Sequence, residues 1–384
     1  MKFFHLSDLH LGRRIYEFSL LDDQRFILDQ ILSLVREKRP DGVLLAGDIY
    51  DKPVPPAEAV QLFDRFLTGL TGLGAAVFMI NGNHDSAQRL AFGAGLMSKS
   101  GVYVSPVYDG QVRQIRLTDG YGPVVIYLLP FLRPAAVRHV FDKEDIDNSQ
   151  KAVAAVLSHM DIDTSCRNIL VAHQFVTGAG RCESEEIPVG GLDLVEAALF
   201  DAFDYVALGH LHSPQTVAGE RLRYCGTPLK YSFSEADQRK TVTVVELREK
   251  GDCSLEELPL TPLRDMRKLR GSYQELTARS FYQEFNREDY IHVTLTDEED
   301  ILDGMAKLRV IYPNLMQLEY DNQRTRNRAA LQAAEDVEKK SEQELFEEFY
   351  RLQNNRPMSE EQRAFVSRLI KELKESDPDE REGG

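Results

Sequence analysis

At 384 residues the chain exceeds a single typical domain of about 100–150 residues, so two to three domains are expected. Its 42% hydrophobic and 28% charged residues suit a globular protein with a sizeable core, and no stretch reaches the roughly 20 apolar residues of a membrane span. A net charge of −16, with 15 acidic against 9 basic side chains over 331–384, excludes coating of nucleic acid by a broadly basic surface.

Residues 1–130 alternate short apolar runs with longer amphipathic stretches, the mark of βαβ units. Strands are expected at Lys2–Leu6, Gly42–Ala46 and Ala76–Ile80, with helices over Glu17–Lys38 and Pro56–Leu70 between them. Pro55 and Pro56 suit a helix start, where the missing N–H is harmless. Further strands are predicted at Val124–Leu129, Asn168–Ala172 and Tyr205–Leu208, and Val242–Leu247 closes this body near residue 260. A small α+β unit follows over Arg264–Asp321, with strands at Tyr290–Leu295 and Leu315–Tyr320 around a helix at Glu299–Ile311. After a polar stretch, two helices are each opened by a capping-box pair, Ser341 with Glu344 and Ser359 with Gln362. The opening MKFFHLSDLH does not read as a signal peptide. The scattered Cys166, Cys182, Cys225 and Cys253 read as reduced thiols of a cytoplasmic protein.

The informative feature is where polar residues interrupt this apolar pattern. Strand ends carry Ser7-Asp8-Leu9-His10, Gly47-Asp48-Ile49-Tyr50-Asp51, Asn81-Gly82-Asn83-His84-Asp85, Ala172-His173 and Gly209-His210-Leu211-His212. The carboxyl ends of strands form the ligand-binding edge of open α/β sheets, so these groups are expected to converge. Taken singly, His173 reads as a core histidine and Gly47-Asp48 as a turn. In combination they read as a site for two hard to borderline cations, since carboxylate, imidazole and amide donors favour Mn²⁺, Fe²⁺ or Zn²⁺. His5, His139, His159 and His292 fall outside these pieces and take structural roles.

The ordered set Asp8-x-His10, Gly47-Asp48-x-x-Asp51, Gly82-Asn83-His84-Asp85, His173 and Gly209-His210-x-His212 resembles the calcineurin-like metallophosphoesterase superfamily. The phrases FFHLSDLHLG, GDIYDKPVPP, NGNHDS, GHLH and YCGTPLKYSFSE resemble the bacterial SbcD nuclease family more than any phosphatase. The resemblance implies that Asp8, His10 and His212 hold one metal and Asn83, His173 and His210 the other, with Asp48 bridging. It gives His84 the transition state or the leaving 3′ oxygen, with Asp85 orienting its ring. Asp51, expected just behind the metal ligands, stands where archaeal and eukaryotic relatives commonly carry histidine. The implied fold is a four-layer α/β sandwich of two mixed sheets flanked by helices, with a small α+β capping domain and a C-terminal helical tail. Its expected divisions are a nuclease domain at 1–262, the cap at 263–321, a linker at 322–340, a partner-binding helical segment at 341–375 and a disordered end at 376–384.

By the same resemblance the substrate is DNA, cut at double-stranded ends and hairpins with two divalent ions, Mn²⁺ foremost, in recombination, replication and repair. Arg13 and Arg14, just behind the first motif, are the DNA-contact candidates. The apolar stripes Leu345, Phe349, Leu352 and Phe365, Leu369 either fold back on the body or pack on a partner. The family layout favours the partner, an SbcC-type coiled-coil ATPase, in a heterotetramer built on a homodimer, cytoplasmic and nucleoid-associated on DNA. This chain itself lacks a Gly-x-x-x-x-Gly-Lys-Ser/Thr nucleotide loop. The cap's alternative is an accessory domain without substrate contact. The chain's alternatives are a phosphatase or cyclic-nucleotide phosphodiesterase on the same scaffold, and a scaffold protein without chemistry, which the seven retained donors disfavour.

Overall fold

Runs such as Val43-Leu44-Leu45, apolar at every position, belong to strands covered on both faces, because side chains alternate between the two sides. The computed structural model describes residues 1–142, 144–180, 194–326, 346–347, 349–350 and 358–376. The chain divides into two compact units, Met1–Met266 and Arg267–Gly384.

The first unit opens with β1 (Lys2–Leu6), α1 (Leu21–Lys38), β2 (Gly42–Ala46), α2 (Ala57–Gly72), β3 (Ala76–Ile80) and β4 (Val102–Val104). It continues through β5 (Arg113–Asp119), β6 (Gly122–Leu128), α3 (Pro134–Val140), α4 (Ser149–Ser158), β7 (Arg167–His173) and β8 (Tyr205–Gly209). The short β9 (Gln215–Thr216) and β10 (Leu222–Tyr224) precede β11 (Thr241–Leu247) and β12 (Cys253–Pro259). One sheet has the order β12-β11-β1-β2-β3-β4, the other β9-β10-β8-β7-β6-β5. Strands β1 to β4 run parallel, as do β6, β7, β8 and β10, and antiparallel strands flank each set.

Alternation builds the layers. Leu44 and Ala46 of one sheet meet Ile126, Leu128, Val171 and Ala207 of the other in a core between the sheets. Their neighbours Val125, Tyr127, Leu170, Val206 and Leu208 point away and pack under Val137 of α3 and Val153 and Val156 of α4. On the far side α1 and α2 bury Ile27, Ile31, Phe63 and Phe66, with α2 against β3. The result is helix, sheet, sheet, helix.

Several boundaries differ from expectation for local reasons. The first helix starts at Leu21, not Glu17, because Arg14–Ile15 and Phe18–Ser19 pair as a hairpin with Tyr16 in the left-handed region. Strands β5 and β12 went unpredicted because they are polar edge strands that bury few residues.

In the second unit β13 (Met266–Gly271), β14 (Tyr290–Leu295), α5 (Gly304–Arg309) and β15 (Leu315–Tyr320) form a three-stranded sheet and its helix, in the order β13-β14-β15. The helix is shorter than the predicted Glu299–Ile311, beginning after Asp303 at φ 54°. Leu276, Ile291, Val293, Leu308, Tyr312 and Leu315 make the core, and the Tyr312 hydroxyl donates to the Leu276 carbonyl at 2.6 Å. A last helix, α6 (Glu360–Ser376), has the expected capping box: Gln362 N–H donates to Ser359 Oγ at 3.2 Å, and Ser359 N–H to Gln362 Oε1 at 2.9 Å. The Ser341 and Glu344 pair, Leu345, Leu352, Cys182, most of the expected linker and residues 377–384 lie outside the described residues. Among the described residues no helix is long and apolar enough to cross a membrane.

Candidate metal centre

Asp8 follows β1, Asp48 follows β2, Asn83 follows β3, His173 ends β7 and His210 follows β8, so parallel strands of both sheets deliver carboxyl ends to one place. The backbone there is strained. Asp8, His10, Asp48 and His210 hold φ values of 52°, 42°, 50° and 100°, conformations that cost on the order of 1–3 kcal/mol each for non-glycine residues. Main-chain bonds fix the turns: Asp8 N–H donates to the Gly47 carbonyl at 3.1 Å, and His10 N–H to that of Asp48 at 3.0 Å. Two glycines permit the close approach. A Cβ at Gly82 would fall on the Asp48 carboxylate, and one at Gly209 on the Ala46 carbonyl.

Asp8, His10 and His212 each offer a ligand atom, all within 4.8 Å of one another and all buried. Asn83 Oδ1 lies 3.0 Å from His173 Nε2 and 3.1 Å from His210 Nδ1, which closes a second cluster. Asp48 stands between them, with Oδ2 3.3 Å from His173 Nε2 and 3.7 Å from His10 Nε2. All seven predicted donors therefore meet. His173 Nδ1 is 2.8 Å from the Ala46 carbonyl; donating there leaves Nε2 facing the cluster.

Burial, reinforced by Asp48, outweighs His173 and pushes the Asp8 carboxyl up to about 8. Burial also opposes ionisation of Asp48, yet the His173 imidazole beside it holds its carboxyl well below the usual range. For His173, burial pulls the ring down but Asp48 and Asp8 raise it to about 9. Burial lowers His10 and His212, and brings His210 to about 3, so those three rings are neutral donors. Divalent cations fit this set. Among the described residues both ring nitrogens of His10 are buried without a hydrogen-bond partner, and an unsatisfied buried polar group costs about 1–3 kcal/mol.

His84 Nε2 stands 4.0 Å from Asp48 Oδ2, and its Nδ1 lies 3.1 Å from the Asp51 carbonyl. Asp85 also holds main chain. Its carboxylate receives the main-chain N–H groups of Ile49, Tyr50 and Gly82 at 2.9–3.0 Å, so it ties two site loops together, and the Asp51 carbonyl is the acceptor set to orient the His84 ring. The Asp51 side chain lies 3.9 Å from His10 Nδ1 and 2.9 Å from the Arg13 guanidinium, which also covers the Tyr231 ring. Arg14 is exposed on the hairpin, bonded to the Glu17 carbonyl at 2.5 Å. Of the partner-contact candidates, Phe349, Phe365 and Leu369 are exposed.

Sequence reasoning missed Gln24, Tyr231 and Glu235. Buried Gln24 donates to the His10 carbonyl at 2.8 Å and accepts from Gly12 N–H at 3.0 Å, which pins the loop carrying His10. Glu235 Oε1 lies 3.7 Å from His212 Nδ1. Its one sequence signal was an acidic residue in the otherwise apolar and hydroxyl-rich run Tyr231-Ser232-Phe233-Ser234-Glu235.

Residues 1–214 match the family model for calcineurin-like phosphoesterases, and residues 262–354 match one described as the type 5 capsule protein repressor C-terminal domain. The chain is 34% identical over 322 residues to the SbcD subunit of the nuclease SbcCD from Staphylococcus saprophyticus subsp. saprophyticus, a match that spans 83% of this chain and 84% of that one. Among solved structures, a dimetal phosphatase from Danio rerio covers 67% of this chain and 95% of its own length at 13% identity and a TM-score of 0.40. The protein TT1561 of Thermus thermophilus covers 67% and 98% at 12% identity and a TM-score of 0.38. The motifs, the extent of these matches and the donor geometry lead to one conclusion: the chain belongs to the calcineurin-like phosphoesterases and, within them, to the family of SbcD nuclease subunits, and is a metal-dependent phosphodiester hydrolase.

Proposed function

We propose that this chain hydrolyses DNA phosphodiesters with two manganese ions, as the nuclease subunit of an SbcC–SbcD type complex that acts on double-stranded ends and hairpins in recombination, replication and repair. The observation that carries the chemistry is the meeting of seven oxygen and nitrogen donors around Asp48, a mixture of hard and borderline ligands suited to Mn²⁺. Bound there, two divalent cations supply Lewis-acid charge and lower the pKa of a coordinated water towards neutrality. Asp8, His10 and His212 would hold one ion and Asn83, His173 and His210 the other, with Asp48 shared. The chain's own work is to hold the His10, His210 and His212 rings neutral, to orient the ligand side chains and to present His84. With its Nδ1–H donated to the Asp51 carbonyl, His84 turns Nε2 towards the centre, where it can protonate the leaving oxygen.

The acidic chain needs local cations for a polyanionic substrate. Arg13, anchored on Asp51 beside His10, and Arg14, exposed on the hairpin, are the proposed phosphate contacts. An Arg13→Ala/Arg14→Ala variant should bind DNA more weakly and with a shallower salt dependence; an unchanged salt slope removes them from the interface. The partner assignment rests on the relative's name and on the exposed apolar residues of the C-terminal segment. Deleting residues 331–384 should abolish co-purification with an SbcC-type ATPase while metal-dependent cleavage persists.

The deciding experiment incubates an end-labelled hairpin duplex with the protein and Mn²⁺ or Mg²⁺, with and without the ATPase partner and ATP, using Asp48→Ala as control. Cleavage that needs both Mn²⁺ and Asp48 is expected. Turnover confined to bis-p-nitrophenyl phosphate, with DNA left intact in every arm, would instead make this a small-diester phosphodiesterase.

A further inference from the structure

The two donor clusters differ in what stands behind them. His173, in the Asn83 cluster, leans on a main-chain carbonyl, that of Ala46. Behind the Asp8, His10 and His212 cluster lies the segment 227–240, outside the residues matched by the phosphoesterase model.

Two side chains of that segment press on the cluster's histidines. The Tyr231 ring meets His10 edge-on at 5.6 Å and His212 at 6.1 Å between centroids, while its hydroxyl donates to the Leu9 carbonyl at 2.5 Å. Glu235, fully buried, lies 3.7 Å from His212 Nδ1 and takes an ion pair from Lys240 at 2.5 Å. Further bonds reach its carboxylate from Tyr231 N–H and Ser232 Oγ, each at 3.2 Å, and Thr227 Oγ1 at 3.3 Å. Lys240 also donates to the His212 main-chain carbonyl at 2.9 Å. The pair thus grips His212 at both its ring and its backbone.

A buried ion pair is a weak source of stability, because desolvation cancels most of its attraction, so its place against one histidine calls for another reason. A carboxylate facing Nδ1–H fixes the tautomer, aims Nε2 at a cation and makes that nitrogen a better donor. We propose that Glu235, supported by Lys240 and Tyr231, is a positioning residue that sets the affinity of the ion held by Asp8, His10 and His212 and leaves the ion at Asn83, His173 and His210 unaffected. This rests on the two-ion site proposed above.

The test uses the full chain, stripped with EDTA and titrated with Mn²⁺ while free ion is followed by its electron paramagnetic resonance. The unsubstituted chain should bind two ions; fewer than two would sink the two-ion site itself. Given two, Glu235→Gln should weaken one of them by roughly 10- to 100-fold and spare the other. Glu235→Gln/Lys240→Met removes both charges, so no lone buried charge remains to destabilise the fold. That variant should keep the unfolding temperature of the stripped chain, show the same single-ion weakening and gain less from added Mn²⁺. Two ions bound as tightly as before, equal weakening of both, or unfolding of the stripped double variant would each overturn the positioning role.

Discussion

The two units of the chain differ most in one place, where the first buries a cluster of ionisable groups together. In Met1–Met266, Asp8, His10, Asp48, His173 and His212 are buried together, four site residues hold left-handed backbone, and among the described residues His10 has no hydrogen-bond partner for its ring. In the Arg267–Gly384 unit the core is apolar, and cations sit on carboxylates: Arg267 with Asp289, Arg270 with Asp321, Arg324 with Asp300. Among the described residues, every cluster able to hold a metal falls in the first unit. Burying polar groups without partners is expensive, and a fold retains them where a ligand offsets the cost.

If that contrast is sound, substitutions in the two units should fail in different ways. The largest effect is expected at the centre: His84→Gln should lower kcat on bis-p-nitrophenyl phosphate by about 100-fold or more, with metal content and unfolding temperature unchanged. Loss of metal along with rate would move His84 from proton transfer to ligation. Next comes pH. Asp8 and His173 are raised to about 8 and about 9, so above pH 6.5, the ordinary value for histidine, the folded metal-free chain binds more protons than the unfolded one. The Asp8 contribution is lost as pH climbs from 3.8 to about 8 and that of His173 from 6.5 to about 9, so between pH 6.5 and about 9 thermal unfolding of EDTA-treated protein should shift steadily down. Saturating Mn²⁺ should flatten that slope, since the ions displace these protons. A flat profile without metal would mean the carboxylates are not desolvated as described. The smallest effect lies in the second unit. Tyr312→Phe strands the Leu276 carbonyl and should cost about 1 kcal/mol in chemical denaturation, with turnover of small diesters untouched.

The candidate site was largely readable from sequence because its proposed donors are residue types that rarely end an apolar strand. Asp8, Asp48, Asn83, His173 and His210 each stood out against their neighbours, and the parallel order of β1, β2, β3, β7 and β8 brings strand ends together. What stayed hidden lacks that signal. The carbonyls of Ala46 and Asp51 orient His173 and His84 as main-chain groups, for which residue identity is mute. Asp85 was noticed, but which N–H groups it receives depends on how the loops of β2 and β3 approach. Glu235 comes from a segment far along the chain, and only folding sets it against His212. Among the elements, the buried strands were legible, whereas β5 and β12 were not, because exposed edges tolerate charge at alternate positions.

The most direct test of a shared two-cation centre is anomalous diffraction from a crystal soaked in Mn²⁺. Two peaks about 3.5–4 Å apart should flank Asp48, one bounded by Asp8, His10 and His212 and the other by Asn83, His173 and His210. A lone peak, or rings of His173 and His210 turned out of the cleft with no ion between them and Asp48, would contradict the account.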